Sequence, residues 1–222
     1  MGKPYVILSA AMSVDGKIAT RGGDSAYSDD EDWKRVHKLR SEVDAIMVGI
    51  HTILVDDSKL TSKEGKNPIR VVVDSDARTP PNARVITVRP EVETIIAVTS
   101  IAPPERISNL QKKGAKILVC GDGELVDLKS LMEKLFDRGV KKLMLEGGGN
   151  VNWGMISKGL IDEIRIAVAP VIVGGIEAIT LVEGEGFTKV SEGVKLELIN
   201  TEKVGKNLVL TYKILRDAKR GY

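Results

Sequence analysis

Leu143-Met-Leu-Glu146-Gly147-Gly148-Gly149-Asn150-Val151-Asn-Trp153-Gly-Met-Ile156 decides how this chain reads. A short apolar run passes one acid, meets three glycines and continues at helical spacing, with Trp153, Ile156 and Leu160 on one side. The pattern is strand, turn, helix. Glycine has no Cβ, so its backbone can take positive φ and come close to a ligand. Asn150 is placed to cap the helix. A helix start carries free N–H groups and partial positive charge, which suit a phosphate. The plainer alternative is a tight turn with no ligand. One helix terminus contributes at most ~2 kcal/mol, and a micromolar nucleotide needs ~8 kcal/mol. A cofactor held here therefore needs other segments.

Upstream, residues 5–12 read as a fully buried first strand, followed by an Asp15-Gly16 turn and a polar loop through Arg21, Ser25 and Tyr27. Ser28-Asp-Asp-Glu31 fits a capping box. Behind it Trp33, Val36, Leu39 and Val43 recur at helical spacing. Arg40 lies beside that face and can either snorkel to solvent or bind an anion. A strand at 45–48 ends at Gly49 and leads into His51, Thr52 and Asp56; His51 suits ligand contact, packing or capping alike. A strand at 69–74 opens into Ser75-Asp76-Ala77-Arg78, and further strands follow at 94–99 and 115–119. Pro103-Pro104 can start a helix. Asp127 caps a helix with Leu128, Leu131, Met132, Leu135 and Phe136 on one face, closed by Gly139.

Downstream of the glycines, a strand at 162–168 runs into a second glycine turn, Val173-Gly174-Gly175. Segments 194–198 and 208–214 alternate around Val204-Gly205-Lys206-Asn207, as an antiparallel hairpin does. The sum predicts a single α/β domain over residues 1–222, in three layers, with a mostly parallel central sheet and a C-terminal antiparallel hairpin. Ligands of such sheets sit at the carboxyl ends of strands, here Gly49, Ser75, Glu146 and Val173.

Composition narrows the chemistry. Hydrophobic residues at 42% supply a core, and a net charge of +2 gives no pull toward nucleic acid or membrane. One cysteine, Cys120, allows neither an internal disulfide nor a zinc site, so no metal is expected. It closes an apolar run and reads as a buried, inert thiol. No signal-peptide pattern and no apolar run of ~20 residues is present, so a soluble, cytoplasmic protein is expected. A Gly-x-x-x-x-Gly-Lys-Ser/Thr loop, an early Gly-x-Gly-x-x-Gly and a nucleophile elbow are all missing. Glycine turns with a few acids and bases suit a phosphorylated cofactor that brings its own chemistry.

The series Ser13-Val-Asp-Gly16, Thr52-Ile-Leu-Val-Asp56-Asp57-Ser-Lys-Leu60-Thr61, Pro68-Ile-Arg-Val-Val-Val-Asp-Ser75 and Leu145-Glu146-Gly-Gly-Gly149 resembles the riboflavin-biosynthesis reductases. Those enzymes are similar in fold to dihydrofolate reductase. The resemblance runs along nearly the whole chain, and the zinc deaminase motif of the bacterial fusions is not in it. It implies a cytoplasmic homodimer that reduces 2,5-diamino-6-(ribosylamino)-4(3H)-pyrimidinone 5′-phosphate with NADPH, or alternatively NADH. By position it implies cofactor contacts at Thr52, Asp56, Ser75 and the glycine segment, Gly147, Gly148, Gly149, Asn150 and Val151 foremost. Substrate contacts are implied at Arg40, Leu60, Lys63 and Glu146. Lys63 stands where the family often carries Arg, keeping the charge but losing the bidentate fork. The segment around Ser25 and Tyr27 also matches a ligand-contacting one, with a departure in sequence. Position at strand ends adds Arg78 for a 2′-phosphate and Val173, Gly174 and Gly175 for a diphosphate. Asp56 and Glu146 are the two candidate proton donors. A dihydrofolate reductase and a non-catalytic nucleotide-binding protein remain as alternatives.

Overall fold

The computed structural model describes residues 2–215. In chain order the strands are β1 (Tyr5–Ser13), β2 (Lys17–Ala19), β3 (Ala45–Gly49), β4 (Ile69–Val73), β5 (Thr94–Val98), β6 (Lys116–Val119), β7 (Lys142–Leu145), β8 (Glu163–Ala169), β9 (Ile179–Thr180), β10 (Leu196–Val204) and β11 (Asn207–Ile214). The helices are α1 (Asp30–Ser41), α2 (Ile50–Asp56), α3 (Arg84–Thr87), α4 (Pro104–Lys112), α5 (Leu128–Asp137) and α6 (Gly149–Ser157). The chain forms two compact units. Among the described residues, one holds 2–5 with His37–Met144; the other holds Val6–Val36 with 145–215.

In the first unit the strand order is β7-β3-β4-β5-β6. The pairs β3–β4, β4–β5 and β5–β6 are parallel. Ile46, Met47, Val48, Val71, Val72, Ile96, Ala97 and Val98 are each 0% exposed. Such unbroken apolar runs belong to strands covered on both faces. The α5 helix adds Leu128, Leu131, Met132 and Leu135 to this core, and the Asp127 carboxylate caps it by accepting from the amides of Lys129 and Ser130. Cys120 is buried, as its apolar run implied.

In the second unit the order is β10-β11-β8-β1. Strands β1 and β8 are parallel, while β11 pairs antiparallel with both β8 and β10. The C-terminal hairpin is thus present, with a register shift between Leu198 and Asn200. Strands β2 and β9 form a separate two-stranded sheet.

Three local expectations change. Helix α1 begins at Asp30, and the Asp29 carboxylate, not Ser28, accepts the Asp32 amide at 3.0 Å. An acid beats a hydroxyl at this positive helix end. Trp33 is 44% exposed rather than packed inward. Helix α6 begins two residues early, at Gly149, with Gly148 at the cap position and no side-chain cap, so Asn150 lies inside the helix. Helix α3, for which the sequence carried no signal, has only four residues, three of them β-branched, and is too short to show a period.

Candidate functional site

In the first unit, helix α2 leaves β3 at Gly49 and buries Ile50 and Ile53. That orientation leaves Thr52 half-buried and Asp56 exposed at the last position. Partial loss of water still raises the Asp56 carboxyl above its ordinary pKa. Asp57 takes a left-handed conformation that ends α2, and its carboxylate accepts the Arg84 amide at 2.8 Å. The chain then folds back with Leu60, also at positive φ, fully buried. Arg40 does not snorkel: it is 8% exposed, and its Nη1 donates to the Thr61 carbonyl at 2.9 Å. Arg40 and the Leu60–Lys63 segment are therefore brought together. Lys63 is exposed beside them.

The end of β4 is organised by a residue whose sequence position gave no warning. Asp74 is 0% exposed, and its Oδ2 accepts both the amide and the hydroxyl of Thr79 at 2.7 Å. This closes the loop that carries Ser75 and Arg78. The Ser75 carbonyl accepts from the Thr99 amide at 3.2 Å and the Thr99 hydroxyl at 3.1 Å, and its Oγ accepts the Val126 amide at 3.1 Å. Ser75 thereby ties the loops after β4, β5 and β6, and its own hydroxyl proton is left to donate. The Arg78 Nε lies 3.9 Å from both Asp74 Oδ1 and Asp76 Oδ2.

In the second unit the three glycines have three different reasons. Gly147 sits at φ +93°, a conformation side chains rarely adopt. Beside Gly148 a Cβ would meet nothing, and the Gly147–Gly148 peptide is cis. At Gly149 a Cβ would lie 2.7 Å from the Thr180 carbonyl oxygen, so this glycine admits protein backbone, not a ligand. Asn152, fully buried, holds the same contact by donating to the Leu181 carbonyl at 2.8 Å. Glu146 is half-buried ahead of them; Asn150 is exposed and Val151 half-buried.

The second glycine turn behaves differently from its expected role. The amides of Val173 and Gly174 donate to the Asp15 carboxylate at 3.0 and 2.7 Å. Two N–H groups expected to hold a diphosphate are thus satisfied within the protein, and Gly175 at φ +85° shapes the turn. The Ser13 hydroxyl and these two amides hold the Asp15 carboxyl down at about 2. Asp-Gly had read only as a turn, so this latch was hidden by its separation in sequence. Ser25 is exposed, whereas Tyr27 is 6% exposed, and burial raises its phenol pKa. Among the described residues no group of three His, Cys, Asp or Glu is placed to hold a metal ion. Nor is any helix there long and apolar enough to cross a membrane.

The fold defines an α/β protein with a mostly parallel sheet and antiparallel C-terminal strands. It is similar to dihydrofolate reductase from Enterococcus faecalis (TM-score 0.55, 13% identity, 96% of this chain and 97% of that one). It is more similar to the Acinetobacter baumannii RibD structure (TM-score 0.83, 23% identity, 97% of this chain and 59% of that one). The family model described as the RibD C-terminal domain matches residues 4–210, and the chain belongs to that family. In sequence it is similar to the 2,5-diamino-6-ribosylamino-4(3H)-pyrimidinone 5′-phosphate reductases of Methanothermobacter thermautotrophicus and Aquifex aeolicus. The first is 49% identical over 96% of this chain and 99% of the relative; the second is 41% identical over 97% and 98%. The chain is an oxidoreductase of the riboflavin pathway.

Proposed function

We propose that this enzyme reduces the ribosyl side chain of 2,5-diamino-6-(ribosylamino)-4(3H)-pyrimidinone 5′-phosphate to the ribityl form, with NADPH as reductant. One observation carries the reading: relatives named for this reaction align over 99% and 98% of their own length. The residues present fit a nicotinamide dinucleotide. Ser75 keeps a hydroxyl proton on a braced loop, Arg78 offers a guanidinium, and the backbone at Gly148 faces open space. When bound, the cofactor supplies a hydride.

The protein's own residues bind, orient and protonate. In the first unit Thr52, Asp56, Ser75 and Arg78 hold the cofactor, and Arg40, Leu60 and Lys63 hold the substrate. In the second unit Gly147, Gly148, Asn150 and Val151 serve the cofactor, and Glu146 and Ser25 serve the substrate. Arg40 and Lys63 suit the substrate's phosphate. Asp56 protonates the ring oxygen or imine nitrogen freed as the ribosylamine opens, a role its raised pKa favours. The reading treats both units as one reductase domain, which is supported by a family match that runs over residues 4–210.

The reading includes a homodimer, supported by the second unit's surface. An apolar groove of about 760 Å³ is lined by Trp153, Phe187, Leu196, Leu210 and Tyr212, and Leu198 and Ile199 of the edge strand β10 are 54% and 55% exposed. An apolar patch of this kind marks an interaction surface. The function is tested by following loss of reduced nicotinamide with the pyrimidinone phosphate and, separately, with dihydrofolate. Turnover with the first alone is expected. Turnover with dihydrofolate alone, or binding of cofactor with no turnover on either, overturns the reading.

A further inference from the structure

The loop after β4 carries more charge than the one arginine expected there. Arg106, in the first turn of α4, donates from Nη1 to the Asp76 carbonyl at 3.3 Å. The Arg78 Nε lies 3.9 Å from the Asp76 carboxylate. Two guanidiniums, from the β4–α3 loop and from α4, therefore flank one acidic residue. All three residues are exposed. The loop beneath them is fixed from inside, through buried Asp74 on Thr79 and through the Ser75 carbonyl on Thr99. Arg106 adds one bond from outside, to the Asp76 carbonyl, and the three charged side chains reach water.

We infer that Arg106 and Asp76 act with Arg78 to set this reductase's preference between NADPH and NADH. This rests on the cofactor reading above. A 2′-phosphate carries up to two negative charges and rewards a second guanidinium, which forms charge-assisted bonds to its oxygens. A free ribose 2′-hydroxyl instead rewards a carboxylate acceptor. Arg106 thus favours the phosphorylated cofactor. Asp76 opposes it and favours the other. Because all three side chains reach water, salt screens the discrimination.

The test uses the full chain and four proteins: wild type, Arg106→Ala, Arg106→Lys and Asp76→Asn. Dissociation constants for NADP⁺ and NAD⁺ are measured by calorimetry, and kcat and KM for both reduced cofactors at saturating pyrimidinone phosphate. Arg106→Ala should weaken NADP⁺ binding and raise KM for NADPH about five- to tenfold, with NADH changed less than about twofold and kcat unchanged. Arg106→Lys should recover part of the loss, since charge survives without the fork. Asp76→Asn should move the NADPH-to-NADH ratio the opposite way. If Arg106→Ala shifts both cofactors equally, or neither, the assignment of Arg106 fails while the reductase stands. A wild-type enzyme that oxidises neither cofactor overturns the functional reading and this inference with it.

Discussion

Asp56 and Arg70 show how one side chain can be read from its surroundings. The Asp56 carboxyl pKa is raised by desolvation, so the folded protein holds its proton more readily than water does. As the proposed proton donor it must hold its proton, so the rate should fall as pH rises through its folded pKa. Asp56→Asn should lower kcat about 100-fold and flatten that limb, with KM for the pyrimidinone phosphate little changed. Glu146→Gln should mainly raise KM. If both variants keep near-normal turnover, neither is the acid, and positioning alone (~7–11 kcal/mol) supplies the acceleration. Arg70 carries a different burden. It is 0% exposed, and burial lowers its pKa to about 10. Its guanidinium donates to the carbonyls of Val88, Arg89 and Val92 at 2.7, 3.2 and 2.6 Å. Arg70→Met leaves those carbonyls without their donor and should cost about 2–4 kcal/mol in a denaturant titration, with KM and kcat unchanged. In the sequence Arg70 was one polar letter in an apolar strand. Nothing local shows that its partners lie around residue 90.

At the scale of elements, the parallel strands and amphipathic α5 were legible because local pattern and burial agree. The turns were less so, because their partners are distant in sequence. Gly147 was read correctly as a backbone need, but Gly149 serves packing against Thr180. Asp15 is the plainest case, since its partners lie 158 and 159 residues away. With its folded pKa depressed to about 2, the carboxylate contributes stability that is present above the unfolded value near 3.8 and lost as pH falls through about 2. Asp15→Asn should therefore lower Tm at pH 7, with the gap to wild type closing at the acid end. Hydrogen exchange at the Val173 and Gly174 amides should quicken in the same variant. Unchanged protection at those amides would sink the latch.

For the whole molecule, membership of the RibD C-terminal domain family could be anticipated from motifs that are individually weak but fall in one order along the chain. The second unit's apolar surface could not, because exposure is a property of the folded sheet: Leu198 and Ile199 of β10 are 54% and 55% exposed. A pair of chains should appear in light scattering, and Leu198→Glu with Ile199→Lys should shift the mass to one chain. A wild-type monomer at micromolar concentration would contradict the self-association. The reaction itself is tested most directly with NADPH carrying deuterium at the transferable position of the nicotinamide. One deuterium is expected in the ribityl product, on the carbon that was ribose C1′. Reduced product with the label elsewhere, or with none, would contradict hydride delivery to that carbon.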